Sequence, residues 1–579
     1  MIDNHPQPPP TPANGRPKRL IICCDGTWMD SLGEKGSEPP SNVTRISRVL
    51  RRTCADGTPQ VICYFPGVGT GNKLDQFTGG AFGMGLDRDI REVYNFLCTN
   101  YVDGDDIILI GFSRGAFTAR SVADMVASLG LLTPDGLDNF YAVFEDYEEM
   151  GNVHRATAEF LVAGLEEWTG QTGKEKDVWE ERRKEAYRKA LREMGHTRDT
   201  LMDGKTPITI KALGVWDTVG TLGIPPAPVV GIRGSADQWT FTNTQVSDKV
   251  ENAFQTLALD EPRYAFRPAL WERVKGNRTN LKQVWFPGTH CNAGGGWYDQ
   301  GMANITLAWM CDQLSTVGVE FSYTRMEAVF TSVLRYQAAH PFPAVPTHVS
   351  DFFKGHSPLP WARPEVYNAP PNPTRDAHDC DKKDHHPETG LWDTARPWAL
   401  GQLRDPTSAL QKFAGKTVRT PGLGVRVDSD TNEDLDEPLL RTGERIHSSV
   451  RIRLACHGLG VDDEGVWGCG ALLKDGKNPF WRLERGSGFS DEEEAALRRS
   501  RVAEYGLGDK EYPTEMLYDQ TAGSERWRWV YQKKPVGGGE ERIPQSSVLP
   551  EEPMVGYWER LLLGMTVGKP DVWKFAAAQ

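Results

Sequence analysis

The stretch Asp106-Ile107-Ile108-Leu109-Ile110-Gly111-Phe112-Ser113-Arg114-Gly115 decides the fold. Its apolar run predicts a buried strand, and the residues from 116 to about 129 predict a helix, so a Gly-x-Ser-x-Gly pentapeptide lies between strand and helix. In that context the serine occupies a sharp, strained turn, and glycines flank it because a Cβ there would collide with the neighbouring strand or helix. Ser113 is therefore a candidate nucleophile. A serine that only caps the helix is the alternative.

Two strand–helix units precede this turn. Short apolar runs predict strands at 19–24 and 61–65, and apolar residues at helical spacing predict helices at 41–52 and 87–101. Strands that alternate with helices are typical of a parallel sheet with right-handed crossovers. The sequence therefore predicts an α/β fold with a mostly parallel sheet.

Two later strands each end at a residue suited to acid–base chemistry. Strands predicted at 208–216 and 281–286 lead to Asp217 and, after Pro-Gly-Thr, to His290. Helices are predicted near 249–259 and 304–314. The chain order Ser113, Asp217, His290 is the order found in α/β-hydrolases. Imidazole titrates near neutrality, so His290 could take the serine proton, and Asp217 could orient the ring and stabilise the imidazolium.

An acyl-transfer site also needs donors for the developing oxyanion. The backbone N–H of Arg114 follows the nucleophile directly, and the loop after the first strand offers the N–H of Gly26 or Thr27. The glycine-rich loop 67–71 has no following Lys-Ser/Thr, so it does not indicate a phosphate-binding P-loop.

The chain divides into four predicted regions. Residues 1–18 are Pro-rich and predict a disordered tail, and 19–340 predict the catalytic domain. A charged helical insertion at about 138–200 is interpreted as a cap over the carboxyl edge of the sheet, with a solvated surface excursion as the alternative. A Pro-rich linker at 341–400 leads to a C-terminal accessory region at 401–579, where 448–454 alternates as a strand would.

Composition excludes several classes of protein. The chain has 579 residues and a formal net charge of −13, so a general nucleic-acid binder is disfavoured. No apolar run is long enough for a transmembrane segment, and no secretory signal is visible. The cysteines, several of them in apolar runs, indicate reduced thiols, and we expect a cytoplasmic protein. We expect no cofactor or metal. The alternative is a zinc site in the polar cluster around Cys380 and His385, although the spacing of these residues matches no standard zinc finger.

Six motifs carry a family resemblance. They are Cys24-Asp25-Gly26-Thr27-Trp28, Phe65-Pro66-Gly67-Val68-Gly69-Thr70, Gly80-Ala81-Phe82-Gly83-Met84-Gly85, Gly111–Arg120, Val215-Trp216-Asp217-Thr218-Val219 and Trp285-Phe286-Pro287-Gly288-Thr289-His290. Together they resemble an α/β-hydrolase family, formerly of unknown function, that includes the phospholipase effectors of type VI secretion and fungal relatives.

The resemblance implies a serine lipase or esterase that acts on phospholipid-like esters. It implies Ser113 as nucleophile, His290 as base and Asp217 as acid. It is also compatible with peripheral contact with a membrane surface. One position departs from the family pattern, because Asn292 stands where an acidic residue usually follows the histidine.

Alternatives remain open at this point. A catalytically silent hydrolase fold that serves as a binding module, and a thioesterase or peptidase on the same fold, fit the same residues. Asp260 and Glu261 follow a predicted helix and are rival acids, although a salt bridge at the helix end explains them as well. His457 follows a predicted strand and is the outside rival to His290 as base.

Overall fold

A ten-stranded sheet lies at the centre of the structure, which is a computed structural model. It describes residues 17–27, 29, 39–67, 79–171, 173–219, 244–340, 395–406, 417–427, 434–474, 478–486, 526–532, 546–552 and 556–565. Most of the predicted N-terminal tail, most of the Pro-rich linker, the loop 68–71 and the cluster around Cys380 and His385 lie outside these ranges.

Six strands of the catalytic half form the parallel part of the sheet. β1 (Arg19–Cys24), β2 (Gln60–Phe65), β3 (Asp106–Phe112), β6 (Ala212–Trp216), β7 (Asn252–Ala258) and β8 (Asn280–Phe286) pair in parallel in the spatial order β2-β1-β3-β6-β7-β8. Alternate residues of β1 enter the hydrophobic cores on opposite faces of the sheet. A strand buried on both faces has no polar side, which explains its continuous apolar run.

Helices connect these strands and cover both faces of the sheet. The first three are α1 (Asn42–Val49), α2 (Gly79–Asn100) and α3 (Ser113–Leu129), and the side chain of Ser41 caps α1 by accepting the N–H of Thr44. The others after β8 are α7 (His290–Gly294), α8 (Gly301–Ser315) and α9 (Tyr323–Ala339). The α/β fold with a mostly parallel sheet is therefore confirmed.

Two predicted elements are wrong. Within the predicted helix 249–259, residues 252–258 form strand β7 instead. Ala253 enters one core while Phe254 and Leu257 enter the other, and a strand buried on both faces can imitate helical spacing. Residues 448–454 belong to helix α10 (Ser448–Ala455) instead of a strand. Its alternating arginines are buried, so they do not mark a solvent face.

The helical insertion packs beside helix α3, and its role as a cap over the carboxyl edge of the sheet stays a prediction. It comprises α4 (Pro134–Asp138), α5 (Phe140–Glu148), α6 (Lys174–Glu193) and a small ribbon of β4 (Leu131–Leu132) and β5 (Thr197–Arg198). Arg188 of α6 reaches the carbonyls of Ala127 and Ser128, and Tyr147 of α5 donates to Asp124. These contacts are in the last turns of α3, far from Ser113 in its first turn, so the insertion packs beside α3.

The C-terminal region adds strands to the same sheet. β11 (Glu444–His447) pairs in parallel with β8 and with β16 (Val548–Glu552), and the antiparallel strands β15 (Arg526–Tyr531) and β14 (Trp481–Gly486) follow. Helix α11 (Tyr557–Gly564) packs on α8, where Asp312 accepts the N–H groups of Trp558 and Glu559. The remaining short strands are β9 (Val425–Val427), β10 (Asp434–Pro438), β12 (Leu473–Lys474) and β13 (Asn478–Pro479). The predicted region therefore continues the catalytic sheet, while its boundaries stay a prediction.

Candidate active site

Ser113 occupies the strained turn that the pentapeptide predicts. Its φ is +58°, in the left-handed region, and α3 begins at this residue. A Cβ on Gly115 would lie 2.3 Å from the carbonyl oxygens of Cys24 and Asp25, and one on Gly111 would lie 2.5 Å from the carbonyl oxygen of Gly115. Both glycines are therefore required by close backbone contact, which confirms the steric argument from the sequence.

Asp217 follows β6 at the same edge of the sheet, because Phe112 of β3 pairs with Trp216 of β6. The carboxylate is fully buried and its backbone is also left-handed, with a φ of +41°. Oδ1 accepts the N–H of Ala258 at 3.1 Å, and Oδ2 lies 2.6 Å from Nδ1 of His290. The structure thus brings two of the three predicted residues into direct contact.

His290 is the first residue of α7. Its ring lies 4.6 Å from the ring of Phe112, which precedes Ser113, and 5.0 Å from the ring of Phe266 (centroid to centroid). Its backbone N–H donates to Glu261 at 3.1 Å. Within the described part of the chain, no hydrogen bond joins Ser113 Oγ to the imidazole. Such bonds are often long before substrate binds.

A buried arginine completes the surroundings of Asp217. Nη2 of Arg419 lies 3.0 Å from Oδ2, and Nη1 donates to Oδ1 of the same carboxylate. The guanidinium also donates to the carbonyl oxygens of Ala258 (2.8 Å) and Phe266 (2.7 Å). No motif or spacing marks this residue in the sequence, where it lies in the predicted accessory region 401–579.

Burial and charge set the protonation of this pair. Burial would raise the pKa of Asp217, but Arg419 and the hydrogen bond to His290 outweigh it and hold that pKa well below the usual value for aspartate. Burial lowers the pKa of His290 more than Asp217 raises it, so the net shift is downward. The sequence left this competition open. In the structure burial dominates, and the imidazole is neutral at pH 7.

The buried carboxylate of Asp25 organises the loop after β1, which carries the predicted oxyanion donors Gly26 and Thr27. Asp25 is buried, and its carboxylate accepts the hydroxyls of Ser41, Thr44 and Tyr64 at 2.7 Å each. Asp25 also accepts the N–H of Gly26 at 2.7 Å. That N–H is therefore occupied, whereas the N–H of Thr27 meets no acceptor among the described residues. These contacts favour Thr27 over Gly26, and the assignment of Thr27 and Arg114 as oxyanion donors stays a prediction.

The rival acids have structural contacts instead. Asp260 follows β7, not a helix, and accepts the N–H of Gly288 at 2.6 Å and the indole N–H of Trp467 at 3.0 Å. Burial raises the pKa of Asp260 to about 6. Glu261 pairs with Arg263 and supports the backbone of His290. No hydrogen bond links Asp260 to the imidazole in the ranges that the structure covers.

Asn292 has a structural role in the turn that carries His290. Its Oδ1 accepts the N–H of Thr289 at 3.1 Å and that of Arg404 at 3.0 Å, while its Nδ2 donates to the carbonyl of Gln402 at 3.0 Å. The residue caps α7 and ties it to the segment 402–404. These are backbone contacts that an amide satisfies without a charge.

Other candidate groups lie away from the site. His457 follows helix α10, not a strand, and is exposed. The nine cysteines that the structure describes are all free. Among the described residues, no group of three histidine, cysteine, aspartate or glutamate side chains could hold a metal ion, and no helix is long and apolar enough to cross a membrane.

Comparison with known proteins identifies the family. The family described as "T6SS, Phospholipase effector Tle1-like, catalytic domain" matches residues 18–313, just over half of the chain. The chain therefore belongs to the Tle1-like family, and membership supports a lipid ester hydrolase in general terms. Arg419 lies beyond the matched residues.

Two individual proteins are also similar. A stretch of 149 residues, 23% of this chain, is 31% identical to uncharacterized protein YEL023C of Saccharomyces cerevisiae and spans 21% of that protein. The chain thus covers about a fifth of that relative's length. A crystal structure of an uncharacterized protein from Pseudomonas aeruginosa matches at 14% identity and a TM-score of 0.30, over 69% of this chain and 61% of that one.

Proposed function

We propose that this member of the Tle1-like family is a serine hydrolase that cleaves the carboxylic esters of phospholipids through Ser113, His290 and Asp217. The observation that carries the proposal is the 2.6 Å contact between His290 Nδ1 and Asp217 Oδ2, beside a serine held at a φ of +58°. Such a pairing fixes the imidazole tautomer that leaves Nε2 free to accept a proton.

The reaction would proceed in two steps. Neutral His290 takes the hydroxyl proton as Ser113 Oγ attacks the ester carbonyl, and the N–H groups of Arg114 and Thr27 receive the oxyanion. The imidazolium then gives its proton to the leaving alcohol, and an acyl-enzyme remains. Water, activated by the same imidazole, hydrolyses that ester and frees the fatty acid and Ser113.

The buried base suits this chemistry. Because burial keeps the pKa of His290 below its usual value, the imidazole is unprotonated and ready to act at pH 7. No metal or cofactor is part of the proposed reaction. We further propose that the protein works in the cytoplasm and meets its substrate at a membrane surface.

The test is hydrolysis of intact phospholipid vesicles, with released fatty acids and lysolipids measured by mass spectrometry beside a chain-length series of simple esters. We expect wild-type protein to release fatty acid and Ser113→Ala to release none while it stays folded. A matched control is Ser332→Ala, since Ser332 is an exposed-face residue of α9 that donates only to the carbonyl of Val329. Turnover of simple esters or thioesters without any phospholipid hydrolysis would contradict the proposed substrate class. Absence of all turnover and of covalent labelling would favour a binding module.

A further inference from the structure

Asp217 has a charged partner that its role toward His290 does not require. A carboxylate in this position needs to hold an imidazole, and backbone N–H groups are sufficient to support it. Here the carboxylate accepts two N–H groups from the buried guanidinium of Arg419 in addition to His290 and Ala258. Both oxygens are therefore fixed by a bidentate pair of full opposite charge.

Backbone contacts on both sides of Arg419 anchor the segment that carries it. The turn after Arg419 donates the N–H of Gly422 to Glu444 at 2.8 Å, and Glu444 also accepts the indole N–H of Trp285 in β8 at 3.0 Å. On the other side, the N–H of Thr417 donates to the carbonyl of Pro262 at 2.9 Å. The strand that leads to His290 therefore also anchors the segment that carries Arg419.

Arg419 changes the net charge that surrounds the imidazole of His290. In a Ser-His-Asp site without the arginine, the aspartate charge balances the imidazolium. Here Arg419 already balances Asp217, and the nearby pair of Glu261 and Arg263 is itself neutral. Asp260, whose pKa burial raises to about 6, accepts from Gly288 and Trp467, and the oppositely charged Arg453 lies close to it. A proton on His290 would therefore leave a net positive charge in a buried site.

We propose that Arg419 is a positioning residue for the reaction: it fixes the Asp217 carboxylate against His290 and, by neutralising it, keeps the imidazole unprotonated down to lower pH. The inference rests on the proposed function and deepens it. It also places a residue from beyond the matched family region in the active centre.

The test compares pH profiles of kcat/KM on a soluble ester for wild type, Arg419→Gln and Arg419→Lys. Removal of the guanidinium leaves the buried carboxylate to favour the imidazolium, so for Arg419→Gln we expect the acid limb to move to higher pH by about one unit or more. Lysine keeps the positive charge but cannot make the bidentate contact with Asp217. For Arg419→Lys we therefore expect a lower kcat, with the acid limb of the pH profile near its wild-type position.

The matched control is Arg396→Gln. Arg396 is as buried as Arg419, also lies beyond the matched family region and holds Asp463 through two contacts of 2.7 Å. Its loss should lower the thermal unfolding midpoint and leave the acid limb in place. An acid limb that coincides in wild type and Arg419→Gln would overturn the proposal, as would equal shifts in both glutamine variants. If Arg419→Gln does not fold, Arg419→Lys decides, because wild-type kcat in that variant would refute the positioning role.

A second readout does not require turnover. Exchange of the C2 hydrogen of the His290 imidazole, followed by mass spectrometry of its peptide across pH, reports protonation of that ring directly. We expect its midpoint to rise in Arg419→Gln and not in Arg396→Gln. Suppose that wild type hydrolyses no ester while the exchange midpoint of His290 is still higher in Arg419→Gln than in wild type. In that case the proposed function would fail and the role of Arg419 toward His290 would stand.

Discussion

Replacement of Asp217 by asparagine has a consequence that follows from the geometry of its four donors. Oδ1 faces Ala258 N–H and Arg419 Nη1, and Oδ2 faces His290 Nδ1 and Arg419 Nη2. An amide must turn its NH₂ toward one of these sides. If the NH₂ faced Ala258 N–H and Arg419 Nη1, it would meet two groups that can only donate. We therefore expect the NH₂ to face His290, whose ring can change tautomer.

That tautomer change disables the base. With Nδ1 accepting from the amide, the ring proton moves to Nε2, which can no longer accept the proton of Ser113. By analogy with other Ser-His-Asp sites, we expect kcat to fall by up to roughly 10⁴-fold, which corresponds to about 5.4 kcal/mol in the barrier. Loss of the counter-charge for buried Arg419 should also destabilise the fold by about 3–5 kcal/mol.

The assay is steady-state hydrolysis of a soluble ester, with thermal unfolding measured on the same samples. Asp260→Asn is the control, since Asp260 is a carboxylate that follows the neighbouring strand β7 and accepts from Gly288 and Trp467 instead of His290. We expect a mild effect on kcat there. A larger loss in Asp260→Asn than in Asp217→Asn would refute the assignment of the acid.

Further predictions concern the base and the turn. Hydrolysis needs neutral His290, and burial lowers the pKa of that residue. Activity should therefore rise with pH through one ionisation below 6.5 and stay high above it. A pH–rate profile measures this transition, and a midpoint above 6.5 would contradict the prediction. His290→Ala should abolish both activity and that transition, whereas exposed His457→Ala should keep them; the reverse result would reassign the base. Gly115→Ala places a Cβ 2.3 Å from two carbonyl oxygens and should cost about 1–3 kcal/mol of stability and most of the activity, whereas Gly468→Ala, which meets nothing within 4 Å, should be neutral in denaturation and kinetic assays.

The residues around Ser113 could be predicted from the sequence because local sterics determine them. A buried strand, a left-handed serine and two glycines in backbone contact leave little choice of residue, so the pentapeptide reports the turn directly. Asp217 and His290 could be proposed because parallel strands bring their carboxyl ends to one edge of a sheet. Their contact at 2.6 Å required the structure.

Long-range contacts could not be predicted in this way. Arg419 lies 202 positions from Asp217, and its role depends on the pairing of β11 with β8, which no local pattern encodes. The predicted secondary structure of residues 249–259 and 448–454 is wrong for a related reason. Burial on both faces removes the polar side that distinguishes a helix from a strand. The hydrogen bond from Gly26 N–H to Asp25, which bears on the predicted choice between Gly26 and Thr27, likewise required the structure.

The central claim is that Ser113 is a nucleophile activated by His290 and Asp217. The most direct measurement is covalent labelling with a fluorophosphonate probe, with the modified residue located by peptide mass spectrometry. We predict a single adduct on Ser113 in the wild type, no adduct in Ser113→Ala, and strongly slowed labelling in His290→Ala and Asp217→Asn. An unlabelled folded wild type, or an adduct on another residue, would contradict the account.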